Sequence, residues 1–370
     1  MMLKAVLTEL LEPCDIKING GRPHDPQVAD SRFYKEVLSR GSLGLGESYM
    51  QGWWNAKDIE GLLYRLIQGD IVGKFKTKPA ILWHYVRAKV FNLQSKKRSI
   101  DVALKHYNIG NELYTYMLGK SMMYSCAYWK DAESLDAAQE AKLDLICKKL
   151  NLSPGQRVLD IGCGWGGFAK FAAAKYGVEV VGVSIAKEQV DFARSWCEGL
   201  SVEFRMQDYR DLNEKFDRIV SIGMFEHVGY KNYDTYMRVV NHNLKEDGLF
   251  LLHCIGGNES ATATDPWIHK YIFPNGLIPS PSQLAKAIEP YFIMEDWHNF
   301  GLDYEATLNA WQENFKQHWG QLRERYDRAF YRMWLYYLNV SAASFKAKHN
   351  NVWQVVLAKK GNALPYNSVR

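Results

Sequence analysis

The sequence predicts an α/β fold in which a parallel β-sheet carries helices on both faces. From about residue 134 onward, short apolar runs rich in β-branched residues alternate with segments of helical periodicity. A glycine-rich turn at 162–167 follows the first apolar run, and polar residues follow the later ones. This alternation is typical of βαβ units, in which ligands bind beyond the carboxyl ends of the strands.

Each predicted element follows from its local pattern. The helix at 134–150 has apolar residues at helical spacing and ends before Ser153-Pro154-Gly155. Strands are predicted at 157–161, 178–184, 202–206, 216–222, 248–253, 292–297 and 352–358. Helices at 166–176, 187–198 and 232–243 separate the earlier strands. The aromatic-rich helical stretch 304–348 exceeds what the sheet needs, so it is expected to form a helical cap over the ligand site.

The length of the chain, 370 residues, is sufficient for two domains. Residues 1–90 are expected to form a small, mostly helical N-terminal domain, residues 91–101 a basic linker, and residues 102–370 the catalytic domain. The segment 41–54 contains Gly44 and Gly46. Because no apolar β-branched strand precedes these glycines, the segment is predicted to be a structural turn rather than a nucleotide-binding loop.

The composition narrows the class of protein. A hydrophobic content of 47% indicates a folded core, and a net charge of +5 is too small to indicate a nucleic-acid binder. Six cysteines without CxxC spacing predict reduced thiols, and no metal site is expected. The chain begins without the apolar core of a signal peptide, and no stretch reaches the roughly 20 apolar residues that span a bilayer. A cytoplasmic protein with at most peripheral membrane contact is therefore expected.

Basic residues concentrate between positions 71 and 104, where Asp101 is the only acid. Aromatic residues are interleaved with them, namely Phe75, Trp83, Tyr85 and Phe91. Two interpretations stay open for this segment. It is either a solvated linker or a patch that contacts anionic lipid headgroups, to which each cation contributes about 1 kcal/mol near the surface. The cations are Lys74, Lys76, Lys78, Arg87, Lys89, Lys96, Lys97 and Arg98.

The glycine-rich turn predicts a ligand that approaches the backbone closely. No Lys-Ser/Thr pair follows it, which excludes a Walker-type phosphate loop. Its position between a buried strand and a helix makes it far more specific than an isolated glycine pattern. The residues predicted to contact the cofactor here are Asp160, Gly162, Gly164, Trp165, Gly166 and Gly167.

The second strand distinguishes a dinucleotide from S-adenosylmethionine as the cofactor. A dinucleotide site needs an acid at the end of that strand to bind the ribose hydroxyls. The strand instead ends at Ser184, and Gln189 follows five residues later. Asp160 is placed for the amino-acid portion of S-adenosylmethionine, and the pair Gln207-Asp208 for its adenine edge. The sequence therefore predicts a Rossmann-like, S-adenosylmethionine-dependent methyltransferase domain.

Beyond this turn, the sequence closely resembles the cyclopropane-fatty-acyl-phospholipid synthases. The resemblance covers most of residues 100–370, and the N-terminal segment also looks like that of the bacterial enzymes. Mycolic-acid-modifying methyltransferases share the catalytic motifs but usually lack that segment. The matching motifs are HYNIGN at 106–111, YSCAYW at 124–129, VLDIGCGWGG at 158–167, GMFEHVG at 223–229, LLHCIG at 251–256, YIFPNG at 271–276 and DWHNFGLDY at 296–304.

The resemblance implies a reaction. A methyl group passes from S-adenosylmethionine to a cis double bond in a phospholipid acyl chain. The resulting carbocation loses a proton from the new methyl group, and the ring closes to a cyclopropane. In this family a bound bicarbonate or carbonate ion serves as the general base. The resemblance also implies a homodimer whose N-terminal domain helps the partner engage the inner face of the cytoplasmic membrane.

The resemblance also assigns roles to individual residues. Glu226 and His253 would bind the bicarbonate, and the backbones of Cys126 and Ile255 with the hydroxyl of Tyr304 would complete its cage. The residues implied to line the cofactor are Tyr124, Ser125, Gly162, Gly164, Gly166, Ile185, Gln189 and Tyr209. Ser184, Gln207 and Asp208 join them from the strand-end pattern described above.

Several alternatives stay open. A single His at a strand end is usually a satisfied polar group, Glu226-His227 could cap a helix, and Cys126 could simply pack as a small apolar residue. Trp311 and Phe315, on one helical face with Trp319, could pack against the sheet or line an acyl-chain tunnel. The enzyme could also release a methyl-branched or methylene product. The remaining alternative is a catalytically silent lipid-binding protein with the same fold.

Overall fold

The computed structural model describes residues 2–71, 110–362 and 365–370, and it divides into two compact units. Unit 1 contains the described residues up to Ile71 together with Thr262–Pro274 and Tyr304–Asn350. Unit 2 contains the described residues of 110–261 with Asn275–Asp303 and Asn351–Arg370. The basic segment 74–98 and the linker predicted at 91–101 lie outside the described residues. The sequence pattern predicts a single domain boundary near residue 90, and it does not anticipate that two later segments of the chain belong to unit 1.

The described helices and strands are labelled in chain order. The helices are α1 (Met2–Leu11), α2 (Arg32–Arg40), α3 (Ser42–Met50), α4 (Ile59–Gln68), α5 (Asn111–Leu118), α6 (Leu135–Lys149), α7 (Gly167–Tyr176), α8 (Lys187–Trp196), α9 (Tyr233–Asn243), α10 (Pro266–Tyr271), α11 (Pro281–Ile288), α12 (Leu302–Gln317), α13 (Trp319–Leu322) and α14 (Arg328–Lys346). The strands are β1 (Gln27–Val28), β2 (Trp54–Asn55), β3 (Arg157–Ile161), β4 (Glu179–Ser184), β5 (Val202–Met206), β6 (Phe216–Ile222), β7 (Leu244–Gly257), β8 (Phe292–Asn299) and β9 (Asn350–Lys359).

Within unit 1, the prediction of a turn at 41–54 is wrong, because α3 occupies most of that segment. The glycines serve helix packing instead. A Cβ on Gly44 would lie 2.2 Å from the carbonyl oxygen of Glu36, and one on Gly46 would lie 2.4 Å from the ring of Trp267. Only a residue without a side chain allows α3 to approach these neighbours so closely. The glycine spacing therefore indicates close packing rather than a chain reversal.

Unit 2 is built on a seven-stranded sheet with the order β5-β4-β3-β6-β7-β9-β8. The first five strands pair in parallel, and β8 is antiparallel to β9. The chain starts in the middle at β3, extends outward through β4 and β5, and then continues on the other side from β6. This reversal creates a crevice at the carboxyl ends of β3 and β6, where ligands bind in doubly wound sheets.

The two faces of the sheet follow from the alternation of side chains along each strand. Leu159 and Ile161 of β3 point into one core, whereas Val158 points into the other, which α6 covers with Leu143 and Ile146. Asp160 shares the face of Val158 and therefore lies on the α6 side of the sheet. By the same alternation, the side chain of His253 in β7 lies on the side of Leu249 and Leu251, which also belong to the core covered by α6.

All six cysteines are buried, and none of them forms a disulfide bond. No helix in the described ranges is both long enough and apolar enough to span a bilayer.

Candidate active site

The glycine turn after β3 is held by its own backbone and by β4. The N–H groups of Gly162 and Cys163 donate to the carbonyl oxygen of Val183, at 2.9 and 3.2 Å. Gly162, Gly164 and Gly166 all have positive φ, which disfavours side chains. The turn leads directly into α7, and the first N–H groups of a helix, which have no partner within the helix itself, suit a ligand with negative or carbonyl oxygens.

The space around these glycines differs from one to the next. A Cβ on Gly162 would lie 2.6 Å from Met224, and one on Gly166 would lie 2.8 Å from Phe204. At Gly164, no heavy atom of the described residues other than its own chain neighbours lies within 4 Å of the position that a Cβ would take. The turn is thus closed against the protein at two glycines and open at the third. That open position is where a cofactor can approach the backbone.

Asp160 lies at the carboxyl end of β3 and is 2% exposed. Burial raises the pKa of its carboxyl to about 7, an effect that the charge of Lys142 opposes. Lys142 belongs to α6 and is itself fully buried, and this burial lowers the pKa of its ammonium to about 7. The pair therefore places one potential negative and one potential positive charge beneath the glycine turn.

A loop formed by residues 121–126 covers the start of α7. A Cβ on Gly167 would lie 2.3 Å from the carbonyl oxygen of Ser121, so the loop packs directly on the helix backbone. Tyr124 packs edge-on against Tyr114, whose ring in turn contacts Trp165 of the glycine turn. The structure thus brings Tyr124, Ser125 and Trp165, all predicted cofactor residues, to the same edge of the sheet.

The ends of β4 and β5 lie beside each other. The N–H of Gln207 donates to the carbonyl oxygen of Ser184 at 3.0 Å, and Gln189 is 5% exposed near the Ser184 hydroxyl. Asp208 accepts hydrogen bonds from the guanidinium of Arg210, and Tyr209 is buried. Ile185 follows β4 directly. In the structure β4 ends at Ser184, so the last residue of this strand is not the acid that a dinucleotide site uses to bind the ribose.

Glu226 is a second buried carboxyl group of the site. It lies in a short 3-10 helix, Phe225–His227, after β6, and it is 8% exposed. Its Oε1 accepts a hydrogen bond of 2.6 Å from the N–H of Ile255, whereas Oε2 is buried and has no hydrogen-bond partner among the described residues. Burial raises the pKa of Glu226 to about 7, although the Ile255 N–H opposes this rise.

His253, in β7, is 2% exposed, and burial holds the pKa of its ring well below the usual range. The ring is therefore neutral at physiological pH. Its Nδ1 lies 3.4 Å from Nε2 of Gln354, a donor. With the Gln354 amide assigned as the donor, the neutral ring carries its hydrogen on Nε2, the nitrogen that then donates to a ligand. The carbonyl oxygen of His253 accepts from Gly223 N–H at 2.9 Å, which links the ends of β6 and β7.

The other residues predicted to bind the anion are Cys126, Ile255 and Tyr304, and their contacts in the structure differ. Cys126 is completely buried, and its Sγ donates to the carbonyl oxygen of Ala127 at 3.1 Å. The N–H of Ile255 is donated to Glu226, as described above. Tyr304 belongs to unit 1, where its ring packs on Phe345 with centroids 4.6 Å apart. That its hydroxyl joins Glu226 and His253 stays a prediction.

Sequence reasoning missed Lys142 and Gln139 on α6, and Gln354 on β9. The two α6 side chains contact the loop of residues 121–126, and Gln354 contacts His253. A signal for the first two exists in the sequence. Gln139 and Lys142 fall at the same helical spacing as the apolar residues Leu135 and Ile146, so they must lie on the buried face.

The sheet order, the glycine turn and the strand ends together define an S-adenosylmethionine-dependent methyltransferase. Solved structures agree with this class. The cyclopropane synthase MmaA2 from Mycobacterium tuberculosis has a TM-score of 0.67 and 29% identity, covering 70% of this chain and 98% of that one. Mycolic acid cyclopropane synthase CmaA1, complexed with SAH and CTAB, has a TM-score of 0.66 and 30% identity, covering 70% and 98%.

The chain belongs to the mycolic acid cyclopropane synthetase family, whose model matches residues 94–355. It is 52% identical over 354 residues to the cyclopropane-fatty-acyl-phospholipid synthase of Escherichia coli (strain K12). This alignment covers 96% of this chain and 93% of that relative. Cyclopropane mycolic acid synthase 2 of Mycobacterium bovis is 32% identical and covers 71% and 96%. The predicted fold class, family and S-adenosylmethionine-dependent enzyme activity are thereby confirmed.

Proposed function

We propose that this chain adds a methylene group from S-adenosylmethionine to the cis double bond of an unsaturated phospholipid acyl chain, forming a cyclopropane. The likeness to the Escherichia coli relative supports the phospholipid substrate. The observation that carries the chemistry is the buried Glu226 carboxyl. One of its oxygens is bound to Ile255, and the other has no hydrogen-bond partner in the described part of the chain.

The cofactor fits the turn after β3. Gly164 leaves room for a ligand at the backbone, and Asp160 lies below it as a partner for the cofactor's ammonium group. The loop with Tyr124 and Ser125 would cover the cofactor, while Gln189 and the Gln207-Asp208 pair would face its adenosine portion. The cofactor supplies an electrophilic methyl group. The protein contributes position, because an alkene is a poor nucleophile and must be held against that methyl group.

A bicarbonate ion fits the pair Glu226 and His253. An anion requires donors, and burial, which raises the pKa of Glu226 to about 7, leaves a substantial protonated fraction of this carboxyl near neutral pH. Protonated Glu226 and the Nε2–H of neutral His253 are both donors, and neither adds a charge that would repel the ion. When bound, bicarbonate supplies a base for the proton that the added methyl group must lose. Tyr304 and the backbone of Cys126 are proposed as further contacts.

The reaction balances without an oxidant or a metal. The alkene's electron pair bonds to the transferred carbon, and the carbon–sulfur bond breaks with its electrons remaining on sulfur. The carbocation on the acyl chain then loses one proton from the new methyl group, and the released pair closes the ring. The products are the cyclopropane lipid, S-adenosylhomocysteine and a proton. Burial of Glu226 and His253 keeps water from capturing the cation.

Product analysis tests this proposal. The full chain is incubated with vesicles of monounsaturated phospholipid and with cofactor carrying a trideuterated methyl group. We expect mass spectrometry to show two deuterium atoms per added carbon and deuterium NMR to show that these two atoms belong to a ring CD2 group. Retention of all three deuterium atoms would establish a methyl-branched product instead, and an unchanged lipid would contradict catalysis.

Membrane contact and dimerisation are also proposed. The basic segment 74–98 would attract the anionic inner face of the cytoplasmic membrane, and this attraction weakens as salt screens it. Sedimentation with anionic vesicles should therefore show binding that decreases several-fold between about 0.05 and 0.5 M salt. Replacing Lys96, Lys97 and Arg98 by glutamine should remove part of this salt dependence. Binding that ignores salt would rule out an electrostatic role for the segment.

A further inference from the structure

Helix α6 buries two lysines that the reaction described above does not use. Lys142 and Lys149 are both 0% exposed and seven residues apart, so they share one face of the helix, about 10 Å from each other. Lys149 has partners at the edge of the sheet, where its Nζ lies 3.2 Å from Asp296 and 3.1 Å from His298. Lys142 instead lies under the candidate cofactor site.

The contacts of Lys142 all concern that site. Its Nζ donates to the hydroxyl of Ser125 at 2.8 Å, in the loop of residues 121–126. One turn earlier, Gln139 Nε2 donates to the carbonyl oxygens of Ser125 and Met123 at 3.0 and 3.4 Å. The helix thus holds both the side chain and the backbone of this loop. A fully buried ammonium is costly to retain, so a hydrogen bond to a hydroxyl alone does not account for a lysine here.

Charged and titratable neighbours supply a reason. Within the part of the chain that the structure describes, Lys142 faces Asp160 from β3, Cys126 from the loop and His253 from β7. The cofactor brings its own ammonium and sulfonium groups, which favour an ionised Asp160. Lys142 favours the same state of Asp160 before the cofactor arrives. The Lys142 side chain therefore holds the loop of residues 121–126 in place and also favours the ionised form of Asp160.

We propose that Lys142 is a positioning residue for S-adenosylmethionine, which holds the loop of residues 121–126 through Ser125 and keeps Asp160 ready for the cofactor. The proposal rests on the proposed cofactor site but not on the lipid product. Lys142→Met should therefore weaken binding of S-adenosylhomocysteine by about tenfold or more, as expected for the loss of a charged hydrogen bond. Titration calorimetry on the full chain measures this without any lipid, so a failed cyclopropane assay leaves the test intact.

Lys149→Met is the matched control, since it removes a lysine of equal burial from the same helix. We expect it to change the affinity for S-adenosylhomocysteine by less than about twofold, as for sites without shared partners. The thermal midpoint of Lys142→Met should fall, because buried Asp160 then lacks its charged partner, and a retained cooperative transition shows that the variant folds. Equal loss of affinity in both variants, or none in Lys142→Met, would overturn the proposal.

A double-mutant cycle of Lys142 with Ser125 adds a second test, which includes a variant that keeps the buried lysine. Ser125→Ala leaves the buried lysine in place and should itself weaken binding. Because Lys142 acts partly through Ser125, the double variant should lose less affinity than the product of the two single losses. Lys142→Gln, which keeps a donor but no charge, should recover part of the loss. Strictly independent effects of the two substitutions would show that Lys142 does not act through the loop.

Discussion

Glu226→Gln is expected to lower kcat by about 10²- to 10⁴-fold, the range typical of a lost acid–base group. The glutamine preserves the size of the side chain and its bond from Ile255 N–H, but it cannot exchange a proton with a bound anion. Affinity for S-adenosylhomocysteine should stay within about twofold, because Asp160 and the glycine turn are untouched. Steady-state kinetics with unsaturated phospholipid vesicles and calorimetry with S-adenosylhomocysteine measure the two quantities.

The same variant should gain stability relative to wild type as pH rises. The pKa of Glu226 is about 7 in the folded protein against 4.5 for an ordinary glutamate, so folded Glu226 binds more protons between these values. Its contribution to stability is thus fully present below about pH 4.5 and is lost as pH rises through 7. The substituted amide does not titrate. The unfolding free energy of Glu226→Gln relative to wild type should therefore increase by on the order of 3 kcal/mol between about pH 4.5 and 8.

The exposed Glu259, just beyond β7, supplies the control for both measurements. Glu259→Gln makes the same chemical change at an exposed position and should alter neither kcat nor the affinity for S-adenosylhomocysteine. Parallel loss of kcat and cofactor affinity in Glu226→Gln would mean that Glu226 supports the site's structure. A pH-independent difference in stability would mean that the carboxyl is ionised throughout.

Gly164→Ala should lower cofactor affinity by about 10- to 100-fold, in line with the usual cost of forcing a methyl group into occupied space. The residue has a φ of +53°, and its missing Cβ would project into the open side of the turn. The added methyl group would meet the cofactor rather than the protein. Calorimetry with S-adenosylhomocysteine measures the loss, and thermal unfolding measures the cost of the strained backbone.

Gly155→Ala separates backbone strain from obstruction. Gly155 also has a positive φ, +80°, and apart from its chain neighbours no described atom lies within 4 Å of a Cβ there, but Gly155 lies before β3 and away from the turn. Both variants should lose about 1 kcal/mol of stability through the left-handed conformation. Only Gly164→Ala should lose affinity. If Gly155→Ala lost as much, strain transmitted through β3 would explain the effect and the cofactor would not contact Gly164.

The sheet was predictable because its strands are continuous apolar runs that end at glycine, proline or polar residues. The predicted bounds of β3, β5 and β6 agree with the structure residue for residue. The strand β7 is longer than predicted, since it already begins at Leu244 and pairs with Phe216 across a register shift. The polar sequence LKEDG at its start resembles a turn, and only pairing with β6 makes it a strand.

The candidate site was predictable where chemistry coincides with strand ends. Glu226, His253 and the glycine turn each follow a strand, and parallel pairing brings those ends to one edge of the sheet. Lys142 was less predictable, because lysines on helices usually face solvent and only its spacing with Leu135 and Ile146 indicates burial. Its role depends on which face of α6 is buried, and that is fixed by packing against β3. The two segments of unit 1 that come late in the chain also depend on tertiary packing alone.

The position of β9 has a consequence for synthesis of the chain. This strand comes last along the described residues, yet it lies between β7 and β8 in the sheet. During synthesis on the ribosome, the hydrophobic edge of β7 therefore has no neighbouring strand until about a hundred further residues have been translated. Such an edge is a template for pairing with other chains. A truncated gene or a proteolytic cut that removes Asn350–Lys359 should thus yield aggregated protein rather than a smaller folded enzyme.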